Sequence, residues 1–279
     1  MIGIRYSMVL LLAVGLLACG GSDTKTALVT DIDMPVSLSS LSENGNSSTF
    51  NSLLRSTEPL QSTRGVILLH GRGGNPDAAV VRQLRNDLAE RGYTTLSVQE
   101  PVPVGFAEGS GSKPPFQNYI DDINGSNLVF PELYARVRSA LNYLQQRGVQ
   151  QVVLIGFSMG SRMATAHLAN GVIDEIPIIG LVGVGMYANN IAPLNIALTI
   201  GQVNVPVLDI YGSLDTNAVT TALSRKTAYE GSGIGPAMTQ LILTCSPGLT
   251  TNDCHKLVGL KGTSTSPLEE AVANWIAAL

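Results

Sequence analysis

The chain has 279 residues, 44% of them hydrophobic and 14% charged, a balance that excludes a disordered polymer and suffices for one large α/β domain or two small ones. Its net charge is −4 at pH 7 and it has no Lys/Arg run, which excludes a nucleic-acid surface built on basic residues. No period of roughly 20–50 residues recurs, so the chain is not a repeat array.

In chain order, Arg5 and the apolar run "MVLLLAVGLLA" supply the positive and apolar regions of a secretory signal. The run is short for a bilayer span. Leu16, Leu17 and Ala18 then precede Cys19, with "GGSDTKT" after it. This resembles the lipobox of bacterial lipoproteins. The resemblance implies removal of residues 1–18, lipidation of Cys19 and attachment to a lipid bilayer in the cell envelope. In a Gram-negative cell it implies sorting to the outer membrane, facing the periplasm. A transmembrane anchor or a plain signal peptide is the alternative.

Residues 19–26 read as a linker and residues 27–279 as one domain. Residues 27–63 are rich in Ser, Thr and Asn, with weak strand signals in "ALVTDIDM" and "TFNSLLRS", and predict an opening hairpin or edge strands. From residue 65 strands and helices alternate. "GVILLH" is a strand; the helix after it is expected to begin with Asn75 as N-cap and Pro76 at its first position, and to end at Gly92. "TTLSV" is a strand, and "FPELYARVRSALNYLQQRG" a helix with Leu133, Val137, Leu141 and Leu144 on one stripe. "QVVLIG", "PIIGLVGVG", "VPVLDIYG" and "AMTQLIL" are further strands, and "MGSRMATAHLAN" and "AVTTALSRKTAYE" further helices. In the last helix, Ser266 and Glu269 form a capping box around Pro267. The alternation predicts an α/β fold with a mostly parallel sheet and helices on both faces.

Residues 100–129 break this rhythm with Pro, Gly and Ser interleaved with Phe106, Phe116 and Tyr119. An irregular segment of that length following a strand's C-terminal end is expected to be a lid or pocket wall, with a disordered insertion as the alternative.

The chemistry concentrates on "GFSMG", residues 156–160. The pattern alone is weak, but an apolar strand precedes it and a helix follows, as in a nucleophile elbow. Ser158 is then the candidate nucleophile, with small neighbours at Gly156 and Gly160 and helix amides suited to developing negative charge. The chain has three histidines. His70 ends the first clear strand and His167 lies inside the helix after the elbow, which leaves His255, in the loop before the last helix, as the base. Asp215 in "YGSLD" is the candidate acid and Asp253 the alternative; Asp209, in mid-strand, reads as structural. Cys245 and Cys254 form an even pair in an exported chain and predict a disulfide, two free thiols being the alternative. No cysteine–histidine cluster suggests a metal, and no cofactor is required.

The order Ser158, Asp215, His255 and the segments "HGRGGNP", "GFSMG", "YGSLD" and "CHK" resemble the α/β-hydrolase superfamily from about residue 65 onward. The resemblance implies an oxyanion hole of the Met159 amide with that of Arg72 or Gly73, a structural role for His70, and a small-molecule acyl substrate. "GYTTLSVQEP" and "PVLDIYG" further resemble an uncharacterised bacterial family of exported α/β-hydrolase-like proteins. Ser161 departs from the superfamily pattern by standing where a third glycine is frequent. The expected function is a serine hydrolase of esters or related acyl compounds; a non-catalytic envelope lipoprotein and an acyltransferase are the alternatives.

Overall fold

The computed structural model describes residues 28–29, 33–41, 45, 47–58, 60–120, 129–171, 173–188, 193–257, 260 and 266–279. The signal segment, Cys19 and the linker lie outside the described residues.

The opening segment forms both expected features. β2 (Met34–Leu41) and β3 (Ser47–Arg55) make an antiparallel hairpin, and β3 pairs antiparallel with β6 (Thr94–Val98). A short β1 (Leu28–Val29) pairs with β4 (Thr57–Glu58). The sequence signal is weak because β2 is an edge strand that buries only Leu38 and Ser40.

The remaining strands are β5 (Arg64–Leu69), β7 (Gln151–Phe157), β8 (Ile178–Val184), β9 (Val207–Gly212) and β10 (Met238–Leu243). The eight-stranded sheet has the order β10-β9-β8-β7-β5-β6-β3-β2, parallel from β10 through β6. Alternate residues of the central strands serve two cores. Ile67, Leu69, Val152 and Leu154 pack towards α2 (Val129–Gln145) and α3 (Met159–Ala169). Val66, Leu68, Val153 and Ile155 pack towards α1 (Ala79–Glu90) and α7 (Pro267–Ala277). Leu133, Val137, Leu141 and Leu144 are all buried on α2, and α7 carries the expected capping box.

β6 lies on one side of β5 and the chain then crosses to β7 on the other. The strand order therefore reverses between β5 and β7, and a crevice opens beyond their C-terminal ends. The loop after Leu69 and the turn at Ser158 both emerge there.

Three local expectations are corrected. α1 begins at Ala79 rather than Pro76, and Ala78 gives no side-chain cap. Asn75–Ala78 form a separate turn, closed by the Ala78 N–H donating to the Asn75 carbonyl at 2.9 Å. The cause is Arg85. Its fully buried guanidinium donates to the Pro76 carbonyl at 2.6 Å, to Asp77 at 2.9 Å and to Asp33 at 2.5 Å, and holds that turn out of helical register. Residues 196–202, where no element was expected, form α4 (Ile196–Thr199) and a 3-10 turn. His255 stands not in a loop but at the end of α6 (Thr251–His255), whose cap is a Thr250–Asp253 capping box. α5 (Thr216–Ser232) follows β9 as expected.

Candidate active site

The strand-to-helix turn at Ser158 is strained as a nucleophile elbow requires. Ser158 has φ 54°, in the left-handed region that serine rarely adopts. The two framing glycines are sterically enforced. A Cβ on Gly156 would stand 2.3 Å from the Gly160 carbonyl oxygen, and one on Gly160 would stand 2.3 Å from the Leu69 carbonyl oxygen. Ser161, the departure from glycine, donates its hydroxyl to the Ser158 carbonyl at 2.6 Å. Met159 opens α3, whose first amides have no intrahelical acceptor.

Ser158, Met159, Arg72, Gly73, Asp215 and His255 all line one cavity of about 660 Å³. Asp215 and His255 are joined directly, with His255 Nδ1 2.6 Å from Asp215 Oδ2. Asp215 is buried, and its other carboxylate oxygen caps α5 by accepting the Ala218 N–H at 3.3 Å. Asp253 is occupied by capping α6 and is bonded to Thr250, so the aspartate beside His255 in sequence is not its partner in space. The hydrogen bond to Asp215 fixes Nδ1 and leaves Nε2 as the ring's free nitrogen. Among the described residues, no hydrogen bond joins the Ser158 hydroxyl to His255.

His255 is held on several sides. Its ring packs against Phe157 at 5.2 Å between centroids and against Tyr187 at 6.5 Å. Gly185, at φ 59°, passes so close that a Cβ there would stand 3.0 Å from the imidazole. The preceding Cys254 is bonded to Cys245, the expected disulfide, with Cα atoms 5.8 Å apart.

The other two histidines stand apart from this pair. His70 is buried and its Nε2 accepts the Glu100 N–H at 3.1 Å, while Nδ1 lies 2.9 Å from the Gly71 carbonyl. Burial lowers its pKa to about 4, so the ring is a neutral brace of the loop that carries Arg72 and Gly73. His167 faces Asp174 at 3.2 Å and the ring of Tyr134. Asp209 is structural, as expected: Arg225 donates to it at 2.8 and 3.0 Å and Gln240 at 2.9 Å. Burial raises its pKa, and Arg225 opposes the shift.

The segment after β6 forms one wall. Gly111, Lys113 and Phe116 line the cavity, Tyr119 is buried in the core, and a Cβ on Gly73 would stand 2.6 Å from the Ser112 carbonyl oxygen. Residues 121–128 of the predicted lid lie outside the described residues. Sequence reasoning missed Tyr187, Asn217 and Lys256 in the lining, and it missed Arg162 behind Phe116. The signal for Arg162 was its spacing, four residues after Ser158 and so one helical turn beyond it.

The fold has counterparts among solved structures. A dienelactone hydrolase, provisionally so named, from Klebsiella pneumoniae superposes with a TM-score of 0.62 at 13% identity, over 89% of this chain and 100% of its own. A dienelactone hydrolase from Anabaena variabilis gives 0.59 at 16%, over 88% and 97%. An esterase from Pyrococcus furiosus gives 0.58 at 15%, over 88% and 90%. The chain has the α/β-hydrolase fold. Within that fold, residues 126–258 match a family described as "Protein of unknown function (DUF3530)". This stretch contains Ser158, Asp215 and His255. No curated protein matches the chain in sequence. Among the described residues, no group of three or more His, Cys, Asp or Glu side chains could hold a metal, and no helix is long and apolar enough to cross a membrane.

Proposed function

We propose that the chain is a serine hydrolase that cleaves an ester or related acyl compound. The observation that carries this reading is the Asp215–His255 pair at 2.6 Å in the same cavity as the strained Ser158. Ser158 Oγ attacks the carbonyl carbon and its proton passes to His255 Nε2. Asp215 holds the imidazole tautomer and stabilises the imidazolium that forms. The Met159 amide, with that of Arg72 or Gly73, donates to the oxyanion. His255 then protonates the leaving alcohol, and water repeats the sequence on the acyl-enzyme. The missing Ser158–His255 hydrogen bond is compatible with this, because such bonds often tighten only when substrate is bound. The dienelactone hydrolase and esterase names of its structural neighbours support the reaction class. We also propose attachment to the cell envelope through a lipid on Cys19, on the strength of the lipobox resemblance.

The test is a fluorophosphonate probe. It should label the wild-type protein and map to the peptide containing Ser158, and Ser158→Ala should abolish labelling. A folded wild-type protein that takes no label would remove the hydrolase reading.

A further inference from the structure

Among the described residues, three arginines have no exposed surface: Arg85, Arg162 and Arg225. Two are neutralised. Arg85 is paired with Asp33 and Asp77, and Arg225 with Asp209. Arg162 is not. Among the described residues, no carboxylate pairs with it and none of its three side-chain nitrogens makes a hydrogen bond of good geometry; the favourable polar neighbour it has is the Tyr187 side chain.

An arginine keeps its charge in proteins, and leaving an ion desolvated and unpaired is strongly unfavourable. The neighbours of Arg162 return only part of that. Its guanidinium lies 3.9 Å from the ring centroid of Tyr187 and 4.6 Å from that of Phe116. A cation–π contact offsets less than the desolvation of a buried ion. Both rings line the cavity that holds Ser158. The unneutralised charge thus sits one aromatic ring behind the cavity wall.

The wall itself has the same sign. Arg72, Lys113 and Lys256 line the cavity, and Asp215, the single carboxylate among the described lining residues, is engaged with His255. Arg72 also stands over Phe116, 4.1 Å from its centroid, with Nη1 donating to the Pro114 carbonyl at 3.2 Å. The chain as a whole is acidic, at −4, so this cationic mouth is local. A buried charge is screened far less than a surface one, so Arg162 projects across the ring into the cavity.

We infer that the site selects an acyl ester carrying a carboxylate. Arg72 meets the anion, and Arg162 is a selectivity-determining residue that acts on it through its charge without touching it. A guanidinium presents a planar fork of donors that matches a carboxylate. The inference deepens the hydrolase reading and names the substrate class of that site. Its binding part can be tested apart from the chemistry.

The probes are 4-acetoxybenzoate and its uncharged methyl ester. Their binding is measured by calorimetry to the full chain carrying Ser158→Ala, so that neither is consumed. The acid should bind about tenfold or more tighter than the methyl ester, the scale of a hydrogen bond to a charged group. Adding Arg162→Met should bring the two affinities to within about threefold of each other. Because both probes are compared on one protein, general loosening of the site cancels in the ratio. If Arg162→Met does not fold, Arg72→Met serves as the second variant and should lower the same ratio. Equal binding of the two probes, or a preference that survives both methionine substitutions, overturns the inference. Turnover of the two esters by the unsubstituted protein is scored separately. Absence of turnover counts against the hydrolase reading and leaves the binding ratio to decide the inference.

Discussion

Cys254 Sγ accepts the backbone N–H of Leu214 at 3.0 Å. The disulfide is thereby tied to the residue preceding Asp215, while the residue following Cys254 is His255. Gly212 makes room for this, since a Cβ there would stand 2.4 Å from Cys254 Sγ. Acid and base of the proposed triad are thus held by one sulfur.

Reducing the disulfide, or replacing both cysteines by alanine, should lower turnover of a small chromogenic ester more than it lowers the unfolding temperature. The chain-entropy argument gives at most about 3 kcal/mol of global stabilisation for so short a loop. Proton transfer, by contrast, fails when the imidazole is loosely held. Activity and thermal unfolding with and without reductant, with thiol titration of the unfolded protein, measure the two effects. An activity loss no greater than the stability loss would refute the coupling.

Asp215→Asn should reduce kcat by about 10⁴-fold, because asparagine can favour the wrong imidazole tautomer. The unfolding temperature should move little. Asn can still accept the Ala218 N–H at the start of α5, and the two residues are comparable as N-caps. Steady-state kinetics beside a thermal melt check both halves. Asp253→Asn should leave kcat nearly unchanged, since that carboxylate serves only the α6 cap.

Gly160→Ala tests the packing beneath the elbow. The new methyl would meet backbone carbonyls of Leu69 and His70 at 2.3 and 2.5 Å, atoms that cannot rotate away. A loss of about 2 kcal/mol or more in unfolding free energy is expected, together with loss of probe labelling. A neutral result in both measurements would show that the β5 and β7 ends are further apart than described.

His70 predicts an acid-sensitive fold. Its pKa is lowered from 6.5 to about 4 by burial, so the unfolded chain binds a proton in this window that the folded chain does not. The His70 contribution is fully present above pH 6.5 and is lost as pH falls towards about 4. Glu100 works in the opposite sense. Burial raises its pKa well above 4.5, with Arg136 opposing, so its folded form holds a proton longer as pH rises. Denaturant unfolding across pH 4–7 should show a shallower slope for His70→Asn than for the wild type. An identical slope would mean that His70 titrates normally.

Cys19→Ser should abolish lipidation and release the protein from the membrane fraction, while leaving kcat/KM on a water-soluble ester unchanged. Detergent partitioning and activity of the released form are the measurements. Unchanged partitioning would count against the lipobox assignment.

Where neighbours in sequence decide the structure, the sequence was readable. The stripe on α2, the capping box of α7 and the glycine-framed elbow all rest on residues within a turn or two of one another. The start of α1 was not readable, because Arg85 draws the preceding turn towards Asp33, 52 residues away. α4 and α6 are too short for periodicity to register. Ser158, Asp215 and His255 can be picked out as candidates by order and by elimination, but only the three-dimensional structure puts the Asp215 carboxylate beside His255 and uses Asp253 as the cap of α6. For Arg162 the spacing from Ser158 was a signal, but composition argued against it. An arginine on a helix ordinarily marks a solvated face, and only Phe116 and Tyr187, brought in from distant segments, bury it.

The hairpin fixes where the chain enters the sheet. Met34 pairs with Leu54, and Arg55 with Thr95 near the start of β6, so β2 begins at the sheet edge opposite the cavity. The β1–β4 pair, just past the end of β3, lies on that same side. Under the anchoring proposal, a lipid on Cys19 would hold the molecule by its base, with the mouth at Ser158 turned towards the aqueous compartment. Such a tethered molecule would sample solutes drifting past the membrane rather than the lipids beneath it.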